Sequence, residues 1–316
     1  MTGILHVVPV GTSLLKHLAA DRRVSTPLRN ALTGGTPLRG LLTQADRGDG
    51  RLLLEPLLHQ DPGQAATVTA ELQQLTPNHS AELTALDAHD RTRTERPAPG
   101  RDSIVLIATD TDDGLRAAAL LAHLLASRAG SLPRYADDPV TSPAGITVAA
   151  GQVLLVRIPR LDLDIGGAPD SRTWLSVGEI GRAVAHDLCD TGADRRAVFH
   201  LTGGYKALLP YLLLTADAVA TVVRCRLGPG SRVSAQVLHE TSGQPVPLPV
   251  RWLTGTPLER AQDLSRSAGT RDHLVVDDLH DFRGTYLRDE PFTGRRELTE
   301  AGLILARTLW ALEEPR

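Results

Sequence analysis

Apolar runs of five to seven residues recur along the chain, each ending in a turn of glycine, threonine or aspartate. Residues 4–10 (ILHVVPV) are apolar and β-branched and then meet Gly11, the pattern of a buried strand. Thr12 and Ser13 follow where a helix cap belongs, and residues 14–18 continue as helix. Residues 33–63 are rich in Gly, Pro and Asp and predict irregular structure. Residues 65–75 and 80–88 predict helices, the second with Ser80 as its cap and Glu82 in its first turn. The polar stretch 90–102 predicts an exposed loop, and 103–108 (SIVLIA) a second buried strand. An Ala/Leu-rich helix follows to about residue 127. Residues 131–150 predict loops with room for a short strand, 153–158 a strand, and 174–190 an amphipathic helix closed by Gly192. Residues 197–201 predict a strand and 205–214 a helix. The most apolar stretch, 207–223, reads as a buried helix running into a strand. Strands at 219–226 and 233–239 are then expected to pair as an antiparallel hairpin through Gly228-Pro229-Gly230-Ser231. After Pro249 come a helix near 258–267, an acidic patch at 272–281 and a final helix over 298–312.

This alternation predicts an α/β fold, Rossmann-like, with a mostly parallel sheet and helices on both faces. The sheet domain is expected over residues 1–250, followed at 251–316 by a small, mainly helical C-terminal appendage. In such sheets ligands bind beyond the carboxyl ends of the strands, near the point where the strand order reverses. Three turns meet that condition: Gly11-Thr12-Ser13, Thr109-Asp110-Thr111 and Thr202-Gly203-Gly204-Tyr205-Lys206.

Composition adds one specific point. With 41% hydrophobic and 22% charged residues the chain is ordinary for a soluble protein, and a net charge of −3 gives no global field for nucleic acid or membrane. The 316 residues begin with no signal peptide and contain no uninterrupted apolar run of membrane length, so a cytoplasmic location without membrane contact is expected. Cys189 and Cys225 have neither metal-ligand nor disulfide-framework spacing, and the eleven histidines form no metal motif, so neither a metal nor a cofactor is expected. Of 34 basic residues, only Lys16 and Lys206 are lysine. A genome rich in G and C favours Arg wherever either will serve, so a surviving Lys suggests a place that wants a compact ammonium.

Thr202-Gly203-Gly204-Tyr205-Lys206 is the strongest local signal. Glycines let backbone N–H groups approach an anion, a helix N-terminus adds a favourable dipole, and Lys206 supplies a point charge. The ordinary alternative is a glycine turn beside a solvated lysine. Gly11-Thr12-Ser13 holds the equivalent place after the first strand, or is a simple capped helix start. Thr109, Asp110 and Thr111 equally suit a capped start whose acids favour the dipole. G-x-G-x-x-G and the Walker A pattern are both absent, which weakens an NAD-type or NTPase reading.

Taken together, the segments 10–15 (VGTSLL), 80–86 (SAELTAL), 106–111 (LIATDT) and 201–210 (LTGGYKALLP) resemble the CRISPR-associated Rossmann fold (CARF) family, in the same order. His239-Glu240 and the run PVPLP at 245–249 are similar to that family's closing segment. The resemblance implies a homodimer whose loops meet across a two-fold axis around one cyclic oligoadenylate, most often the tetra-adenylate ring, in type III CRISPR antiviral defence. Gly11, Thr12 and Ser13 would then contact phosphate or ribose. Thr109 and Asp110 would line the adenine side, Thr202, Gly203, Gly204 and Lys206 would hold phosphates, and Thr111 and Tyr205 would belong to the same ligand-binding turns. Some members cut the ring without metal, by attack of a ribose 2′-hydroxyl on the adjacent phosphorus. In that chemistry Lys206 would stabilise charge and Ser13 or Thr12 would orient the hydroxyl; no strong general base stands out.

The last 66 residues bear on whether an effector is attached. Arg266 and His273 have the spacing of a HEPN ribonuclease pair, but they span Gly269 and read as coincidence. No lysine follows Lys206, which argues against a restriction-type nuclease. Leu298-Thr299-Glu300-Ala301-Gly302 and the helix after it resemble the end of a winged helix. Ten Arg against twelve acidic residues over 251–316 disfavour DNA or RNA binding, so an appendage that stabilises a dimer is preferred. The alternative to a ring nuclease is a ligand-gated regulator acting through this segment without cleavage.

Overall fold

The computed structural model describes residues 3–22, 24–33, 38, 42, 51–52, 64–93, 101–141, 146–161, 170–190, 195–230, 232–239, 241–268, 285–289 and 296–314. The strands are β1 (Ile4–Pro9), β2 (Ser103–Ala108), β3 (Arg134–Asp137), β4 (Val153–Arg157), β5 (Arg196–His200), β6 (Val233–Leu238) and β7 (Pro245–Leu248). They form one sheet in the order β3-β4-β2-β1-β5-β6-β7, parallel except for β7. On one side of β1 the chain places β2, then β3 at the edge and β4 between them, before it crosses to β5 on the other side. The reversal therefore lies between β1 and β5, where Gly11 and the Thr202–Lys206 turn emerge.

Successive side chains of each inner strand serve different layers. Leu5, Val7, Val105 and Ile107 join one core cluster, while Val8, Val10, Leu106 and Ala108 join the other. The second cluster is covered by α1 (Ser13–Ala20), α2 (Thr26–Thr33), α3 (Ala65–Gln73), α4 (Ala81–Thr92) and α5 (Asp112–Arg128). The first is covered by α6 (Ser171–Asp190), α7 (Leu209–Leu227), α8 (Thr256–Ala268) and α9 (Glu300–Leu309). The predicted α/β architecture, with helices on both faces of a mostly parallel sheet, is thus the one observed. Burying one such Val or Leu side chain is worth about 1.5–3 kcal/mol, so the two layers carry most of the driving force.

Residues 219–226 are not a strand. They continue α7, which ends at Gly228 with φ +82°. The β-branched run ATVVRC suggested a strand, but Leu212, Thr215, Ala216, Val219, Val222 and Val223 are buried and recur at helical spacing. That stripe outweighs a propensity penalty of a few tenths of a kcal/mol per Val. The expected hairpin therefore does not exist. β6 runs parallel to β5 and takes its antiparallel partner from β7, with Val237 opposite Val246. Pro245 and Pro247 suit β7 to the sheet edge, where unmade ladder bonds cost nothing. The apolar run Lys206–Leu227 is long and apolar enough to cross a membrane by length and composition, and here half of it is buried within the fold.

The short strand expected within 131–150 is β3. The helix expected from Trp174 begins at Ser171, and the one beginning at Ser80 runs on to Thr92, into the stretch expected as loop. Most of 33–63, Gly192 and the acidic patch 272–281 lie outside the described residues.

Ala261, Leu264, Ile304, Leu305 and Leu309 from the C-terminal segment belong to the same core cluster as α6, α7 and the sheet. A hairpin of β8 (Leu287–Asp289) and β9 (Arg296–Leu298) precedes α9, so Leu298, expected in the helix, is a strand residue and Thr299 caps α9. Helix α9 crosses α6 closely: a Cβ on Gly178 would lie 2.7 Å from Arg307 Cβ, and one on Gly181 2.5 Å from Thr308 Oγ1. The fully buried Glu179 accepts from Arg307 Nε across this contact and from Arg182 on its own helix.

Candidate functional site

The turns after β1 and β5 meet over the reversal point of the sheet. A Cβ on Gly11 would lie 3.1 Å from Gly204 N, so these backbones are nearly in contact. Gly204 has φ +83°, and a Cβ there would sit 2.7 Å from Pro9 Cβ. A Cβ on Gly203 would sit 2.4 Å from Glu82 Oε1. Chain packing alone thus requires both glycines, whatever else they do.

Glu82 is the residue the sequence reading missed. The sequence places it only in the first turn of α4, after the Ser80 cap. Its side chain is 1% exposed and reaches across to the β1 turn. Oε1 accepts from Gly11 N–H at 2.8 Å, and Oε2 accepts from Ser13 Oγ at 3.2 Å and from Ser80 Oγ. Ser80 in turn caps α4, accepting from Glu82 N–H and Leu83 N–H. Glu82 has no ion pair with a described residue; neutral donors at the starts of α1 and α4 hold it. This is an anion-binding nest occupied by the protein's own carboxylate. The N–H of Gly11, a residue expected to contact ligand phosphate or ribose, is bonded to Glu82. The only local cue was the S-x-E spacing at a helix start, which does not reveal a partner 71 residues away.

The remaining expected residues are placed as follows. Thr12 stands at the cap of α1, half-buried and with no side-chain capping bond. Ser13 is half-buried and also accepts from Ala81 N–H at 3.3 Å. Thr202 Oγ1 accepts from Leu238 N–H at 2.7 Å, so its hydroxyl hydrogen is not used in that bond. Tyr205 packs its ring against the sheet core and opens a short 3-10 turn, Lys206–Leu208, that leads into α7. Lys206 is exposed, with no ion pair or hydrogen bond to a described residue, and the N–H groups of Gly203 and Gly204 make no bond to a described residue either. Lys16, the other lysine, is exposed on α1.

The third turn is more committed to the fold. Thr111 caps α5, accepting from Gly114 N–H at 3.0 Å, and lies 3.1 Å from the Thr109 hydroxyl. The Asp110 side chain is only 3% exposed; it pairs with Arg157 at 2.5 Å and accepts from Arg160 N–H. Arg157 also pairs with Asp137. Burial opposes the charge on Arg157, but Asp137, Tyr135 and Asp110 hold its pKa above the usual value. Asp110, expected beside an adenine, therefore ties the ends of β2 and β4 together.

A second cluster lies beneath α4, under the same helix that carries Glu82. His6, His89 and His200 have ring centroids 5.2–5.5 Å apart. His6 Nδ1 and His200 Nε2 share a bond of 2.9 Å, and Gln236 joins His89 to His200. Burial, then the neighbouring histidines, lowers the pKa of His200 well below its usual value; burial and His6 lower that of His89. Alongside, His6, Asp90 and Asp102 have donor atoms close enough together to suit a metal ion. The Arg93 guanidinium already lies 2.5 Å from Asp102 and 3.7 Å from Asp90 and supplies the cation there. Burial alone would raise the pKa of Asp102; hydrogen bonds from His6, Ile4 N–H and Arg93 bring it down to about 2.

No protein-family model matches the chain, and no curated protein matches it.

Proposed function

We propose that this chain is a nucleotide sensor of the CARF type: a homodimer that binds cyclic oligoadenylate, with the tetra-adenylate ring favoured, in type III CRISPR defence, and degrades it as a ring nuclease. The observation that carries this reading is the donor group at the start of the α7 region. Lys206 is exposed and unpaired among the described residues, next to the equally unpartnered Gly203 and Gly204 N–H groups, at the strand-order reversal. A ring with internal symmetry suits two such sites related by a two-fold axis. In the reaction a ribose 2′-oxygen attacks the adjacent phosphorus in line. A P–O2′ bond forms and the P–O5′ bond breaks; the 2′-hydroxyl gives its proton to water, the leaving 5′-oxygen takes one from water, and the products are a 2′,3′-cyclic phosphate and a 5′-hydroxyl. Lys206 and the glycine N–H groups stabilise charge on the phosphoryl oxygens, and Ser13 orients the attacking hydroxyl. Labelled cyclic tetra-adenylate incubated with the protein in EDTA tests this: linear product ending in a 2′,3′-cyclic phosphate is expected. An intact ring after hours with excess protein rejects the nuclease.

A second reading, a ligand-gated regulator without cleavage, has its own support. Helix α7 begins just after the Lys206–Leu208 turn and carries in its last turn Arg226, whose guanidinium donates to the carbonyls of Ala311, Leu312 and Glu314. One helix thus joins the anion site to the C-terminal segment. A change in DNA or RNA binding or in RNA cleavage on adding the ring supports this second reading; identical behaviour with and without it rejects it.

A further inference from the structure

Glu82 fixes which way the Ser13 hydroxyl points. The carboxylate is buried and accepts at both oxygens, so a hydroxyl that meets it must donate. Ser13 has one hydrogen, and it is turned inward to Glu82 Oε2. One lone pair of Ser13 Oγ receives Ala81 N–H, which leaves a single lone pair for anything at the crest. The Gly11 N–H beside it is also taken by Glu82. At Ser13 the β1 turn therefore offers a ligand an acceptor backed by a negative charge. A phosphate oxygen has only lone pairs to bring and is repelled. A sugar hydroxyl brings a hydrogen and is accepted.

We infer that Glu82 is a specificity-determining positioning residue: it makes the Ser13 hydroxyl recognise a ribose hydroxyl in preference to a phosphate oxygen. In a 3′–5′-linked ring the 2′-hydroxyl is the one sugar hydroxyl left free, so Ser13 accepts from a 2′-hydroxyl. The inference rests on the nucleotide reading above. It also explains why a nest at two helix starts carries an internal carboxylate with no cationic partner among the described residues: the charge polarises Ser13 and excludes phosphate.

The test is the affinity of the protein for cyclic tetra-adenylate and for its 2′-deoxy counterpart, by titration calorimetry at matched ionic strength. Wild type, Glu82→Gln and Ser13→Ala are compared, each first shown to melt cooperatively. Wild type is expected to prefer the ribose ring by about tenfold, the worth of one good hydrogen bond. In Glu82→Gln the amide donates toward Ser13 and the serine hydrogen is turned out; it can meet the 2′-oxygen or a phosphate oxygen alike, so a charge-backed bond becomes a neutral one and the ratio falls while the ring is still bound. Ser13→Ala loses the same part of the ratio, which separates the hydrogen bond from any effect of sugar pucker. A wild-type ratio near one, or a ratio unchanged in either variant, overturns the inference and leaves the nucleotide reading standing. No binding of either ring by wild type overturns the nucleotide reading and this inference with it.

Discussion

Replacing Glu82 by Ala tests the tie between α4 and the β1 turn in the absence of any ligand. The carboxylate takes hydrogen bonds from one backbone N–H and two serine hydroxyls and is 1% exposed. Leaving the Gly11 N–H without a partner costs about 1–3 kcal/mol, and each hydroxyl that loses its acceptor about 0.5–1.5 kcal/mol. Rotation of Ser13 and Ser80 recovers part of the hydroxyl cost. Removing a buried charge that pairs with no described cation returns some desolvation energy. The net expectation is a loss of about 3 kcal/mol, a melting temperature lower by about 5–10 °C for a chain of this size. Differential scanning calorimetry at neutral pH measures it, with Glu82→Gln expected to lose less because its carbonyl still meets the Gly11 N–H. A change below about 0.5 kcal/mol, or a gain in stability, would show that the carboxylate is not the tie described and would refute the reasoning.

Other consequences follow from the same geometry. Gly204→Ala places a side chain on a φ of +83° and against Pro9, so a loss of more than about 2 kcal/mol in denaturant unfolding is expected; a neutral outcome contradicts the close packing of the two turns. The lowered pKa values of His200 and His89 mean that the unfolded chain binds more protons, so their stabilising effect is complete above the unfolded value of about 6.5 and is lost as pH falls below it. Asp187, which burial raises to about 6, runs in the opposite sense: its contribution is present below the unfolded value and fades as pH rises through about 6. The histidine part is therefore read as the difference between wild type and His200→Gln melts at pH 5 and 7.5, and a variant as pH-sensitive as wild type rejects it. Lys206→Ala is expected to leave the melting temperature within about 1 °C, since the side chain is exposed, while lowering ring affinity at least tenfold. Lys206→Arg should also weaken binding if a compact ammonium is what the site needs, and full affinity in that variant refutes the point.

The fold was legible where one layer of physics decided it. β1, β2, β4 and β5 are runs of buried apolar residues closed by turn residues, and their order with intervening helices implies the parallel sheet. The Ser80 cap and the position of Glu82 in the first turn of α4 were equally plain, because both are local. Length and tertiary burial decided α7, and local propensity misled there: Val222 and Val223 favour a strand by branching but sit on the buried stripe of a helix. The site was half legible. The turns at Gly11 and Gly203 could be placed at strand ends, and the sheet order brings them together. What the turns are bonded to could not be read, since Glu82 meets Gly11, Asp110 meets Arg157, and His6 meets His200 only across long sequence separations. Those contacts give Gly11 N–H and Asp110 internal partners, while Lys206 and the N–H groups of Gly203 and Gly204 have none among the described residues.

The most direct measurement is equilibrium binding of cyclic tetra-adenylate to the purified chain, with size-exclusion light scattering to give the stoichiometry. The account predicts one ring per two chains, with affinity lost in Lys206→Ala and retained in a surface control such as Lys16→Ala. No saturable binding of cyclic tri-, tetra- or hexa-adenylate, or binding indifferent to Lys206, would contradict it.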